Sequence, residues 1–418
     1  MIRWHNMEGA CPHAPRRVRT PALHCGTGHF RTVLLYIALT PYCLLAQVQW
    51  DMKALFETPK VYDAPEHYTN SVKACFYESV PYTGMATRVF AYYGIPESSN
   101  AKVPAMVLIH GGGGSAFHEW VRLWNSRGYA ALAMDTCGCV SNHGYQNHPR
   151  HAWGGPPGWG GWTQTKDAVT DQWPYHAVAA AIKGHSLLRS FPEVDGARVG
   201  VTGISWGGYL TCIVAPLDTR FAFAVPVYGC GSFPDIPIFA LTAAEDRERW
   251  ASLWDPLLYL PSAKMPFLWV TGSNDFAFPL NALQKSYRLL NVPSTLCVRV
   301  RMPHGHAGPG ENPAEILAFA ESIVGNASPL PTISAPARDG RNVSVRVQAA
   351  APFTAELNYT RDKGVWKERL WETLPAHVDP ARPSAAAELP HGTTAYYFNI
   401  LLPGNLVTSS EHEEVGGD

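Results

Sequence analysis

The sequence is short of charge. Only 16% of its 418 residues are Asp, Glu, Lys or Arg, and the formal net charge is −1. That balance leaves no basic footprint for nucleic acid. A hydrophobic fraction of 46% excludes a disordered chain. Internal repeats and coiled-coil heptads are missing. So is any fourfold Cys/His spacing of the kind that holds zinc, and Cys137 and Cys139 in "DTCGC" lack the spacing of a redox pair. The chemistry read below calls for no metal and no cofactor. Aromatic residues, by contrast, reach 11% and include 14 Trp. Such rings fill cores, and they also suit stacking on flat, neutral ligand faces.

The little charge there is falls unevenly. Residues 1–31 hold Arg3, Arg16, Arg17, Arg19 and Arg31 against Glu8 alone. The uncharged run "VLLYIALTPYCLLAQ" follows. A positive region, an apolar run and a small residue at Ala46 have the form of a secretory leader. A leader over 1–46 and a secreted or periplasmic protein, with no integral membrane span in the mature chain, are expected. The mature chain would keep Cys75, Cys137, Cys139, Cys212, Cys230 and Cys297, an even number whose pairing the sequence does not specify.

The length exceeds what one core comfortably fills, so a large domain and a smaller one are expected. "SVKACFYESV" and "ATRVFAYYGI" alternate around "PYTG" as an antiparallel hairpin does. Short apolar runs without alternation come next, among them "VPAMVLIH", "GYAALAMD", "RVGVTG", "FAFAVPVYG", "MPFLWVTG" and "STLCVRVRM". Strands buried on both faces of a parallel sheet read this way. Helical stretches lie between them, around 116–127, 174–190, 206–215, 281–290 and 313–324. The alternation predicts an α/β fold, a doubly wound and mostly parallel sheet, over residues 50–325. Residues 326–340, rich in Pro, Ala and Ser, read as a linker. Alternating segments after it predict a small β-sandwich-like domain over 341–418.

One stretch carries chemistry. In "RVGVTGISWGGYLT", Ser205 sits between Gly203 and Gly207 at a strand-to-helix junction, the G-x-S-x-G pattern of a nucleophile elbow. There the serine oxygen would stand at the head of the helix, with the Trp206 N–H aimed at a developing oxyanion. "LIHGGGG" ends an earlier strand and offers Gly111 and Gly112 as further oxyanion donors, because bare backbone approaches a reacting oxygen closely. Asp275, in "GSND" after "FLWVT", is placed at the carboxyl edge of the sheet, where sites of α/β sheets assemble. It follows the serine, as the acid of an elbow hydrolase does, whereas the alternative Asp135 precedes it. After the last strand "RMPHGHAGPG" offers two bases. His304 lies nearer the strand; His306, which leaves the shorter gap to the next helix, is favoured.

Residues 72–324 resemble an α/β-hydrolase of the dienelactone hydrolase and acetylxylan esterase group, with kinship to the prolyl oligopeptidase catalytic domain. The matching stretches are "LIHGGGG", "RVGVTGISWGGYLT", "VTGSNDFAFPL" and "MPHGHAGPGENPAEILAF". The resemblance implies a serine nucleophile, an acid and a base at Ser205, Asp275 and His304 or His306. The loop from Thr136 to Asp167 is rich in glycine and proline and carries Trp153, Trp159 and Trp162. It is expected to overhang the site, and its uncharged aromatics suit a sugar ring. An exported ester hydrolase acting on small-molecule or carbohydrate esters is the leading expectation. A serine peptidase and a non-catalytic carbohydrate-binding protein on the same scaffold are the alternatives.

Overall fold

A computed structural model describes residues 48–69, 71–97, 101–158, 164–241 and 243–416, all within one compact unit, Ala46–Asp418. The expected leader over 1–46 lies wholly outside the described residues. So do Trp159 and Trp162.

The short strand β1 (Val61–Asp63) leads into the hairpin of β2 (Lys73–Tyr82) and β3 (Met85–Gly94). Thr83 and Gly84 turn the hairpin with φ of 48° and 78°. The apolar runs form β4 (Val103–Ile109), β5 (Ala130–Met134), β6 (Val194–Ile204), β7 (Phe223–Val227), β8 (Phe267–Gly272) and β9 (Ser294–Arg299). In space the order is β2-β3-β5-β4-β6-β7-β8-β9, parallel from β5 onward and antiparallel before it. Parallel neighbours need crossovers, and helices supply them. These are α2 (His118–Ser126), α3 (Trp173–Ser190), α4 (Trp206–Leu217), α5 (Ala244–Trp254) and α6 (Leu280–Tyr287), while α1 (Met52–Phe56) precedes the sheet and α7 (Gly308–Glu311) and α8 (Ala314–Val324) follow β9.

The period of two along each strand divides the core between two faces. From β4, Ala105, Val107 and Ile109 pack into a cluster with α1, α3, α4 and α6. Met106 and Leu108 point the other way, to Trp120 and Trp124 of α2 and Phe319 of α8. Both faces of the sheet are therefore covered, which explains why its strands show no polar alternation.

Beyond α8 lie β10 (Thr332–Ile333), β11 (Ala337–Asp339), β12 (Asn342–Gln348), β13 (Thr354–Thr360), β14 (Trp371–Asp379), β15 (Ser384–Glu388), β16 (Ala395–Leu402), β17 (Leu406–Ser409) and β18 (Glu413–Glu414). One layer runs β11-β12-β15-β14 and the other β14-β13-β16-β17. Val343 and Val345 of β12 meet Leu357, Phe398 and Ile400 of the facing layer in a separate core, so the region is a small β-sandwich. The 326–340 stretch is more than a linker, since β10 and β11 within it pair with β12.

The sandwich is fastened to the large sheet. Ser409 of β17 pairs with Leu296 of β9, antiparallel. Val298 N–H donates to Ser409 Oγ at 2.8 Å, and Asn399 Nδ2 donates to the Val298 carbonyl at 3.3 Å. The sandwich also grips the loop after β8. Asn274 Nδ2 lies 2.7 Å from the Arg369 carbonyl and 3.1 Å from that of Lys367.

Candidate active site

Ser205 joins β6 to α4 with φ 57° and ψ −116°, a conformation that non-glycine residues rarely hold. Such strain, of order 1–3 kcal/mol, persists only where the surroundings enforce it. Here they do. The Ser205 N–H donates to the Val227 carbonyl at 2.8 Å, pinning the turn to the end of β7. A Cβ on Gly207 would lie 2.0 Å from the Ile109 carbonyl oxygen, and one on Gly203 would lie 2.1 Å from that of Gly207. Any side chain at these positions would push α4 away from the sheet and unmake the turn.

Asp275 follows β8, and its side chain is wholly buried. Its Oδ1 accepts from the N–H groups of Ala277 and Phe278, at 2.9 and 2.7 Å. Its Oδ2 accepts from His304 Nδ1 at 2.6 Å. The His304 ring stacks on Tyr228, centroids 4.7 Å apart, and leans against Phe276 at 4.8 Å. Tyr228 in turn donates from Oη to the Pro303 carbonyl at 2.7 Å, fixing the loop that carries His304. With Nδ1 committed as donor, Nε2 keeps a lone pair and is the atom able to take a proton.

The favoured base, His306, is placed elsewhere. Its Nδ1 lies 2.9 Å from Glu311 Oε1, and its Nε2 accepts the Gly111 N–H at 2.9 Å. Asp275 thus pairs with His304 and not with His306. The reason is local: Arg301 and Ala307 take φ of 52° and 60°, and these turns aim the two rings at different acids. Gly111 changes role for a related reason. Its only N–H proton is given to His306, so Gly112 and Trp206 remain as the expected oxyanion donors.

Sequence reasoning missed Glu311 and Tyr145. Glu311 had a faint signal in its five-residue spacing from His306 through a Gly-Pro-Gly turn. From the loop over 136–167, Tyr145 reaches the glycine loop, donating from Oη to the Gly112 carbonyl at 3.1 Å. Trp153 is 47% exposed and lies over Arg88 of β3, whose guanidinium is 4.3 Å from its ring centroid. A groove of about 440 Å³ opens beside Asp275 and His304. Phe276 and Arg301 form one wall, and Lys367, Arg369 and Leu370 of the sandwich form another.

Asp135, the alternative acid, is a loop clamp. It accepts from the N–H groups of Cys137 and Cys139, each at 2.8 Å, and from Ser115 Oγ at 3.1 Å. Burial raises its pKa to about 6. His110, Asp135 and Cys137 bring possible metal-binding atoms within 4.8 Å of one another. His110 Nε2 already receives the Thr136 N–H at 3.0 Å, however, and its Nδ1 bonds the Gly111 carbonyl at 2.7 Å. Its pKa is lowered to about 3, by burial first of all. With its Nε2 lone pair taken and its Nδ1 proton given to a carbonyl, His110 has no lone pair left, and the group does not fit a metal. All six cysteines among the described residues are unpaired.

The sheet order and the strained serine elbow define an α/β-hydrolase fold. The chain matches the acetyl xylan esterase (AXE1) family over residues 52–234 and the prolyl oligopeptidase family over residues 161–321. Similar solved structures include an acetyl xylan esterase from Paenibacillus sp. R4, with a TM-score of 0.51 and 22% identity over 65% of this chain and 92% of that one. Acetyl xylan esterase 1 from Thermoanaerobacterium sp. JW/SL YS485 follows at 0.50 and 18%, over 65% and 90%. At these identities the likeness establishes the fold. Among curated proteins, the chain is 27% identical over 220 residues to the uncharacterized peptidase YuxL of Bacillus subtilis (strain 168), 48% of this chain and 30% of that protein. It is 29% identical over 131 residues to the acylamino-acid-releasing enzyme of Sus scrofa, 26% of this chain and 18% of that protein. The chain therefore spans less than a third of the length of either curated relative. The two family matches make the chain similar to acetyl xylan esterases over its first half and to prolyl oligopeptidases over residues 161–321.

Proposed function

We propose that the protein is a serine carboxylic ester hydrolase that removes acetyl groups from carbohydrate. The observation that carries this reading is the Asp275–His304 pair, 2.6 Å apart, set on the loops after β8 and β9. Those loops leave the same sheet edge as the Ser205 elbow. In the proposed reaction Ser205 Oγ bonds to the acyl carbon while its proton passes to His304 Nε2. Asp275 holds the ring and stabilises the imidazolium that forms. The N–H groups of Gly112 and Trp206 receive the oxyanion. The sugar alkoxide leaves with the proton from His304. Water, deprotonated by the same nitrogen, then releases the acyl group and restores Ser205.

Support for a sugar ester comes from the acetyl xylan esterase match and from the sparsely charged, aromatic-rich loop over 136–167. A groove that runs from His304 to residues 367–370 of the sandwich supports a reading with a long substrate. The prolyl oligopeptidase match over residues 161–321 favours a second reading, a peptidase of short chains. Both share the same acyl chemistry. A secreted or periplasmic location rests on the leader pattern of residues 1–46. The test is a fluorophosphonate probe followed by mapping of the labelled residue, with acetylated xylan, p-nitrophenyl acetate and chromogenic dipeptides as substrates. Label on Ser205 with turnover of the acetyl esters alone supports the esterase. Dipeptide cleavage moves the assignment to the peptidase, and an unlabelled Ser205 refutes both.

A further inference from the structure

His306 and Glu311 form a second histidine–acid pair, which the mechanism above leaves unused. The amide N–H of Gly111 can only donate, so His306 Nε2, 2.9 Å away, must be its acceptor and carries no proton. The ring proton is then on Nδ1 and is given to Glu311 Oε1 at 2.9 Å. Hydrogen bonding at both nitrogens fixes the tautomer and the ring plane. Phe117, Trp120 and Tyr145 surround the ring with centroids 4.6, 5.8 and 5.6 Å from it, closing off its rotation. Glu311 is held at the end of a turn whose own backbone is tight, since a Cβ on Gly310 would lie 2.4 Å from the Gly305 carbonyl oxygen.

Gly111 lies between this pair and the nucleophile. A Cβ built on it would lie 3.1 Å from Ser205 Cβ and 3.3 Å from His306 Nε2. Its N–H, one residue before Gly112, is thus given to His306. The peptide that follows carries the Gly112 N–H. The direction of one peptide in a glycine-rich loop constrains the next, and four successive glycines have no side chains to hold them.

We propose that His306, oriented by Glu311, is a positioning residue. Its lone pair anchors the Gly111 N–H and so aims the Gly112 N–H at the oxyanion. This inference rests on the reading of Ser205 as nucleophile and His304 as base.

Two variants of similar size separate the lone pair from the volume that the ring fills. His306→Gln keeps an oxygen able to accept the Gly111 N–H, and His306→Leu keeps only bulk. The full chain is assayed with p-nitrophenyl acetate, with thermal melts as a folding control. Loss of a well-aimed oxyanion donor lowers kcat by about 10²–10³-fold. The Leu variant should therefore fall by about 100-fold in kcat with KM changed by less than about threefold, while Gln recovers to within about tenfold of the parent. Equal activities in the two variants overturn the proposal, because the acceptor would then be irrelevant. If the Leu variant does not fold, full parental activity together with an unaltered KM in Glu311→Leu overturns it, and a kcat loss of about tenfold at unaltered KM sustains it. Failure of the underlying reading looks different: the parent chain itself would leave Ser205 unlabelled by the fluorophosphonate.

Discussion

His304 Nδ1 lies 2.6 Å from Asp275 Oδ2, although the two residues are 29 positions apart and sit on loops after different strands. The carboxylate is already fixed by two backbone N–H groups on its other oxygen. It therefore has one direction left in which to receive the ring. The catalytic expectations follow from that directionality.

Replacing Asp275 with Asn should lower kcat by about 10³–10⁴-fold. The amide nitrogen would oppose Nδ1–H and favour the other tautomer, with its proton on the atom that must accept one. Measured kcat values, with circular dichroism to verify the fold, decide this. A loss smaller than about tenfold would assign the acid to another residue.

Ser205→Ala should remove covalent labelling and lower kcat by at least about 10³-fold. It should not lower stability, because alanine relieves none of the turn's backbone constraints and adds no bulk. Near-parental turnover by this variant would remove the basis of the proposed mechanism.

Trp153 tests whether the overhanging loop senses the sugar. Trp153→Ala should reduce kcat/KM on acetylated xylo-oligosaccharides by up to about tenfold, the worth of a stacking contact of about 0.5–1.5 kcal/mol. Hydrolysis of p-nitrophenyl acetate, which needs no wall, should be unchanged. Equal losses on both substrates would mean that the ring only braces the loop on Arg88.

His412 governs part of the acid stability. Its ring packs against Trp366 with centroids 5.0 Å apart, its Nε2 is buried without a hydrogen-bond partner, and burial lowers its pKa to about 3. Between about pH 6.5 and pH 3 the unfolded chain binds a proton here and the folded chain does not, so stability falls as pH drops through that window. Replacing His412 with Leu should flatten the dependence of Tm on pH between pH 6.5 and 4, by on the order of 2–3 kcal/mol in unfolding free energy. An unchanged slope in urea melts across that range would refute the assignment.

Much of this fold is legible in the sequence because burial on both faces leaves a strong mark. The uninterrupted apolar runs of β4 to β8 and the glycines around Ser205 are such marks. So is the place of Asp275 after "FLWVT". The choice between His304 and His306 is not legible, because it depends on the backbone turns at Arg301 and Ala307, and neither residue type advertises a positive φ. Tyr145 is hidden for another reason. Its contact with the Gly112 carbonyl is set by how a long loop folds back, which no local pattern encodes. The strand β14 leaves no clear mark in the sequence either. Its residues are largely exposed or half-buried, so hydrophobic periodicity is weak there.

The joint between β9 and β17 has a consequence for the chain as it is made. Val298 and Ser409, which it brings together, are 111 residues apart. At a synthesis rate of about 5–20 residues per second, β9 emerges from the ribosome roughly 5–20 seconds before the segment that covers it. Throughout that interval a nascent hydrolase sheet presents an open edge strand, the kind of surface on which neighbouring chains pair wrongly. The C-terminal sandwich is thus the late-arriving guard of that edge, and a chain halted near residue 325 would be released with it bare.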